Sequence, residues 1–465
     1  MSTADTGKLA SAAADRELLD KSDHAYLAPL FLGPSGENAA LLETLLTSFL
    51  RDHVYWRRNF HPEDPPSIPV AVQYREDFQS AASRLEQALF RLSADLKQSV
   101  PSFAPRYIGH MVSDPLLAGL LGQLITTLYN PNNIASEAAP VTLELELEVG
   151  RQLATMLGMK TATAAGPQPW GHITSGGTVA NYEALWLLRA ARLFPPALAA
   201  ALRQLRSKLP PDLILAPQAE RPPLADLDQW SLLNFTTDRA CELYSSFLGT
   251  LDELEPPLRR QLVAKVAAER HEYLGPDFFV RHGSTVPVVI VPATAHYSWS
   301  KAMTVLGMGR SRLLRVPTDT HMRMDAAALE EILEKNLRDR QVVLAVVGVL
   351  GTTEFGTIDP LHKIAALRKR YAARGLGFAF HVDAAWGGYL STIFRKADGG
   401  LRARKDMRKQ FQFFPSPSVY EAFRALEKAD TVTVDPHKLG YISYGAGALV
   451  ARDHRLTSFV GEKPP

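Results

Sequence analysis

Lys438 is the residue whose surroundings most invite chemistry. It follows an alternating Thr431-Val432-Thr433-Val434 run that reads as a short strand, stopped by Asp435-Pro436, so His437 and Lys438 fall on a turn. Tyr441, Tyr444 and the small residues Gly445, Ala446 and Gly447 come next. An amine in such a place can attack an aldehyde to form a Schiff base once it is deprotonated, and partial burial lowers a lysine's pKa toward that state. Taken alone, the pattern also fits a surface lysine after a Pro-His turn.

Four further stretches supply matching parts in chain order. Ser175-Gly176-Gly177-Thr178 turns from a strand into a helix, where free N–H groups and the helix dipole favour an anion such as phosphate. His296 follows a buried strand and has the flat ring needed to stack on an aromatic cofactor; the competing reading is a solvent-exposed residue at a helix start. Thr352 follows another strand and offers a hydroxyl to a phenolic oxygen, unless that hydroxyl is satisfied within its own turn. Asp383 closes a third strand. A buried carboxylate there calls for a cationic partner, as a protonated pyridine nitrogen would be, although it also fits a turn cap. Ala385 and His437 complete the expected contacts. Lysine, carboxylate, stacking ring, hydroxyl and anion turn together specify pyridoxal 5'-phosphate, which performs the bond breaking while the protein holds it.

The elements that must position these residues alternate along the chain. Apolar runs at Val288–Val291, Arg312–Val316, Gln341–Leu350 and Phe378–Asp383 read as strands, with helices at Asp325–Asn336 and Leu361–Ala373 between them. All-apolar strands alternating with helices predict a mostly parallel sheet covered on both faces, an α/β fold with ligands at the carboxyl ends of its strands. Ala180–Leu193 reads as a helix stopped by Pro195-Pro196, and residues 195–285 read as an insertion. Residues 1–105 read as a helical N-terminal segment, with helices at Leu9–Leu19, Glu37–Trp56 and Asp77–Gln98, and residues 106–465 as the cofactor-binding domain. His110, Tyr129 and Asn133 lie in polar stretches on either side of an apolar helix, which fits a substrate pocket or, for His110, a satisfied core histidine.

Composition narrows the rest. Lys plus Arg number 51 against 49 Asp plus Glu, a net charge of +2, which gives no reason to expect nucleic acid or an anionic membrane as partner. The single cysteine, Cys241, excludes an intrachain disulfide and zinc sites built on several cysteines, and fits a reducing compartment. Glu144, Glu146 and Glu148 read as a solvated or interface face rather than a metal site. No apolar run reaches membrane-spanning length and no secretory leader is visible, so the expected location is the cytoplasm.

The chain resembles the group II pyridoxal-phosphate-dependent amino-acid decarboxylases of fold type I. The resemblance is carried by Thr174-Ser-Gly-Gly-Thr-Val-Ala-Asn181, Ala295-His296, Gly351-Thr-Thr353, His381-Val-Asp-Ala-Ala385 and Asp435-Pro-His-Lys438. Within that family it is most similar to bacterial tyrosine decarboxylases, through Gly109-His-Met111, Leu128-Tyr-Asn-Pro-Asn-Asn133, Trp230-Ser-Leu-Leu-Asn234 and Asp435-Pro-His-Lys-Leu-Gly-Tyr441. The resemblance implies a lyase acting on an L-amino acid, tyrosine first, with dopa, phenylalanine or glutamate as alternatives, and a homodimer with its site at the interface. It implies further that the α-carbon is protonated after carbon dioxide leaves, and Tyr444 is the expected donor, with Tyr441 second. Members of the family continue into a C-terminal small domain. This chain ends at Pro465, so the expectation is a truncated chain, with an inactive cofactor-binding or dimer-forming remnant as the non-enzymatic alternative.

Overall fold

A computed structural model describes residues 25–159, 167–210 and 222–461; the expected helix at Leu9–Leu19 lies outside them. The chain divides into two compact units. The first runs up to Asn132 and adds Tyr441–Ser443, and the second holds the remainder. The division falls at Asn132 rather than at residue 105 because the apolar helix Leu117–Tyr129 packs on the helix Ala39–Phe60. His53 is buried there, with its ring 4.7 Å from that of Tyr129. The helix Glu76–Leu96 buries none of its residues, leaving Leu85, Leu89, Phe90, Leu92 and Leu96 exposed.

The second unit is built on a seven-stranded sheet in the order β1-β7-β6-β5-β4-β2-β3. The strands are β1 (Trp170–Thr174), β2 (Val288–Pro292), β3 (Leu313–Val316), β4 (Val343–Val349), β5 (Ala379–Asp383), β6 (Thr431–Val434) and β7 (Gly447–Ala451). β7 runs antiparallel to both its neighbours, and all the other pairings are parallel. The expected mostly parallel, helix-covered α/β sheet is therefore present. β2, β4, β5 and β6 are buried along their whole length, which is why β2 and β4 read as apolar runs without alternation.

One face of the sheet packs Ile290, Val346, Phe380 and Val432 against the helices Ala326–Arg338, Leu361–Ala373 and Pro417–Ala425. The other face packs Val291, Val347, Ala379 and Leu449 against the helix Gly177–Leu205 and its neighbours. By length and hydropathy that helix would cross a membrane, but 89% of its most apolar window is buried inside the protein, so it is a core helix.

The helix does not stop at Pro195-Pro196; it continues to Leu205. Each proline removes a backbone donor and crowds the preceding turn, a cost of about 3 kcal/mol or more apiece. Burial of Phe194, Leu198, Leu202 and Leu205 returns about 1.5–3 kcal/mol per side chain, enough to offset both. Those side chains share one core with the helices Thr237–Glu253 and Pro256–Glu269 and with Leu456 and Phe459. The stretch expected to be an insertion thus packs directly on the central helix.

Below the sheet, fully buried Asp430 accepts from Phe380 N (2.8 Å) and Thr237 Oγ1 (3.2 Å) and ion-pairs with Arg368 (2.8 Å) and Arg452 (3.0 Å). The two guanidiniums hold its carboxyl below the usual range although burial pushes the other way. Asp430→Ala strands those donors and both cations, so it is expected to lower stability by about 3 kcal/mol or more. The denaturant midpoint measures this; an unchanged midpoint would mean the cluster contributes nothing net.

Candidate active site

The parallel strands deliver their carboxyl ends to one edge of the sheet. β1 ends in Ser175–Thr178, β2 leads to His296, β4 to Thr352, β5 to Asp383 and Ala385, and β6 to His437 and Lys438. β7 begins at the same edge, shortly after Tyr444.

Asp383 is 5% exposed, and its contacts determine what it can bind. Oδ2 accepts from Asn181 Nδ2 (2.9 Å) and from the indole Trp299 Nε1 (3.1 Å). Among the described residues, Oδ1 receives only the Ala385 N–H, at 3.3 Å. All three donors are neutral, so the buried carboxylate keeps an unmet demand for positive charge on Oδ1. Asn181 is itself buried: its Oδ1 accepts from Thr433 Oγ1 (2.8 Å) and its Nδ2 also reaches Ser298 Oγ (3.1 Å). Ser298 Oγ lies 2.9 Å from His296 Nδ1. Burial lowers the pKa of His296, Lys438 and Lys301 lower it further, and Asp383 opposes them.

Lys438 Nζ is half-buried and sits 3.1 Å from Asp435 Oδ2, three residues earlier on the same turn. Burial raises the Asp435 carboxyl, against the pull of Lys438 and His437. Asp435 is thus a further candidate site residue, which the sequence shows only as a strand stop and as part of the Asp435-Pro-His-Lys438 motif; its signal is an acid three residues before the lysine. His437 Nδ1 is 2.6 Å from Ala446 O, and its ring lies 4.7 Å from that of the exposed Tyr444.

The helix Gly177–Leu205 starts without a side-chain cap, leaving its N–H groups to an incoming anion. Gly176 there has φ +154, and a Cβ on Gly177 would stand 2.7 Å from the Asp435 carboxylate. A Cβ on Gly447 would run into the Gly176 backbone, so β7 closes against this turn only because position 447 is glycine. Ser175 is exposed beside it.

Thr352 follows its competing reading in this geometry. Thr357 Oγ1 donates to Met322 O (2.9 Å), so Thr352 supplies the hydrogen between the two hydroxyls (2.8 Å) while accepting Thr357 N–H (3.1 Å). Its hydroxyl is spent within its own turn. His110 and Tyr129 belong to the first unit, where His110 Nδ1 lies 2.5 Å from Tyr107 Oη. Asn133 belongs to the second unit and bonds Thr142 Oγ1 (2.6 Å) and Glu146 (2.7 Å). Glu146 also accepts Ile173 N–H (3.1 Å), so this acid holds β1 in place rather than facing solvent.

An uncapped helix start for a phosphate, a buried carboxylate facing neutral donors for a ring cation, and a lysine on the same edge for an aldehyde together fit pyridoxal phosphate. Residues 274–408, which include His296, Thr352, Asp383 and Ala385, match the pyridoxal-dependent decarboxylase conserved domain. The chain is 33% identical over 438 residues to an L-tyrosine decarboxylase of Levilactobacillus brevis, covering 92% of this chain and 63% of that protein. It is also 33% identical over 442 residues to the L-tyrosine decarboxylase of Enterococcus faecalis, covering 93% and 64%. It therefore spans just under two thirds of the length of these relatives. A crystal structure of mouse CSAD aligns at 19% identity with a TM-score of 0.49, covering 92% of this chain and 67% of that one. Residues 274–408 thus carry a pyridoxal-dependent decarboxylase domain, whose cofactor is pyridoxal 5'-phosphate, and the chain is similar over nine tenths of its length to these decarboxylases.

Proposed function

We propose that this chain carries the cofactor site of an L-amino-acid decarboxylase that converts L-tyrosine to tyramine and carbon dioxide in the cytoplasm. The observation that carries the reading is Asp383, buried with one oxygen saturated by neutral donors and the other left for a cation. When bound, pyridoxal phosphate takes up the electrons released as carbon dioxide leaves the α-carbon. Asp383 would keep the ring nitrogen protonated, and Lys438 would be the amine that holds the cofactor. The start of the helix Gly177–Leu205 would bind the phosphate, with His437 beside it. His296 would lie against the ring, and Asn133 is a candidate for substrate contact. Cys241 is fully buried and its thiol is pushed up by that burial, which disfavours a cysteine-dependent sibling activity such as desulfuration.

The test is amine detection with a panel of tyrosine, dopa, phenylalanine and glutamate, on this chain and on one extended to its relatives' full length. Tyramine as the dominant product supports the reading. Cofactor binding with no amine from either chain would leave a binding remnant in its place.

Tyr444 is the proposed proton donor to the α-carbon. It stands against His437 in a segment where Gly445 has φ +93 and open space around it. Tyr444→Phe keeps the ring contact and deletes the hydroxyl. Amine formation is expected to drop by about 10²-fold or more while an aldehyde by-product rises. If single-turnover analysis shows parent rates in Tyr444→Phe and a loss in Tyr441→Phe, the donor is Tyr441.

The proposed partner is a second copy, seated on the apolar side chains that Glu76–Leu96 leaves exposed. Sedimentation should give a dimer, with Leu89→Asp plus Phe90→Asp shifting it to monomer. A monomeric parent would overturn the assignment.

A further inference from the structure

The hydrogen bonds around His296 have a direction that follows from donor chemistry alone. The backbone N–H of Ser298 points at His296 Nδ1 across 3.3 Å. A backbone N–H only donates, so Nδ1 is an acceptor and the ring proton sits on Nε2. The Ser298 hydroxyl, 2.9 Å from the same nitrogen, must then donate as well. Its oxygen is left to accept, and Asn181 Nδ2 supplies a hydrogen at 3.1 Å. The orientation of the Asn181 amide is equally determined. The indole N–H of Trp299, a pure donor, makes Asp383 Oδ2 an acceptor, so Asn181 turns its nitrogen toward that oxygen at 2.9 Å. Its carbonyl oxygen then faces the Thr433 hydroxyl at 2.8 Å. Thr433, Asn181, Ser298 and His296 thus form a one-way chain of donors, and Asn181 branches it onto Asp383.

We infer that Asn181 and Ser298 are positioning residues that lock His296 in the tautomer with its proton on Nε2. Both are almost fully buried, at 1% and 0% exposure, so water does not compete for these bonds. The consequence is a division of labour between the nitrogens. Nδ1 is saturated by protein, and Nε2 offers a ligand one N–H donor. What that donor meets rests on the cofactor site proposed above; the tautomer does not. The same amide that orders His296 also anchors Asp383, so the imidazole and the carboxylate are set by one side chain.

Ring ¹⁵N spectra of histidine-labelled full chain, without cofactor, test this at about pH 8, above the ordinary histidine pKa of about 6.5. His296→Gln identifies the His296 signals among the 13 histidines. The parent should show two well-separated nitrogens, Nδ1 unprotonated and Nε2 protonated. Ser298→Ala removes one of the two donors to Nδ1, and the separation should shrink toward the average of exchanging tautomers. Ser298→Cys, nearly isosteric with a much weaker donor, repeats the test if Ser298→Ala does not fold. A parent proton on Nδ1, or variant spectra identical to the parent, would overturn the inference. A chain that binds no pyridoxal phosphate yet shows the Nε2–H pattern would sink the cofactor reading and leave this one standing.

Discussion

Lys438→Ala is expected to abolish covalent retention of cofactor and to lower amine release by about 10²–10⁴-fold, since this amine is the nucleophile proposed to hold the cofactor. The competing amine is Lys301. It is exposed, with Nζ 4.5 Å from the Tyr297 ring centroid, close enough to depress the pKa of His296. Lys438 is instead half-buried and held by Asp435 at 3.1 Å, on the turn that β6 presents beside the phosphate turn. Holding shortens the search: an amine already placed need not give up side-chain freedom when cofactor arrives. Borohydride reduction of the loaded protein followed by peptide mass analysis should put the cofactor on the Lys438 peptide, and Lys438→Ala should leave none. Label on Lys301 in the parent would move the assignment there.

Asp383→Asn should lower turnover by about two decades or more, and the hydrogen-bond pattern predicts how. Asn181 Nδ2 and Trp299 Nε1 both need an acceptor where Asp383 Oδ2 now sits. An asparagine at 383 must turn its carbonyl oxygen to them, which aims its NH₂ group at the position of Oδ1. The cofactor's ring nitrogen would then face a donor and favour its unprotonated form. A buried ionic contact worth several kcal/mol would be exchanged for a bond to the wrong protonation state. Absorbance and circular dichroism of bound cofactor would report the change independently of turnover. Near-parent turnover with cofactor bound would show that Asp383 does not set the ring's charge.

Much of this site was legible because the strands carrying it are local patterns. Thr431–Val434 alternates, Gln341–Leu350 is an apolar run, and each is followed by turn residues that end it. The parallel order then follows from strand–helix alternation, and with it the placing of Ser175, His296, Thr352, Asp383 and Lys438 on one edge. β7 was not legible. Gly447–Ala451 is short and rich in small residues, and it is a strand because β1 and β6 pair with it from both sides. The continuation of the central helix through Pro195-Pro196 was hidden for the same reason, since the side chains that outweigh the prolines are buried by segments distant in sequence.

By itself the sequence determined the strands, the turns that end them and the sheet edge where the candidate residues meet, because periodicity and turn chemistry act over a few residues. Only the tertiary structure decided which partner each residue has. Asn181 and Trp299 reach Asp383 from 202 and 84 positions away, Thr352 spends its hydroxyl on Thr357, and Asp435 rather than solvent meets Lys438. A buried polar atom takes whichever donor the packing brings within hydrogen-bond reach, and no local pattern in the chain encodes that.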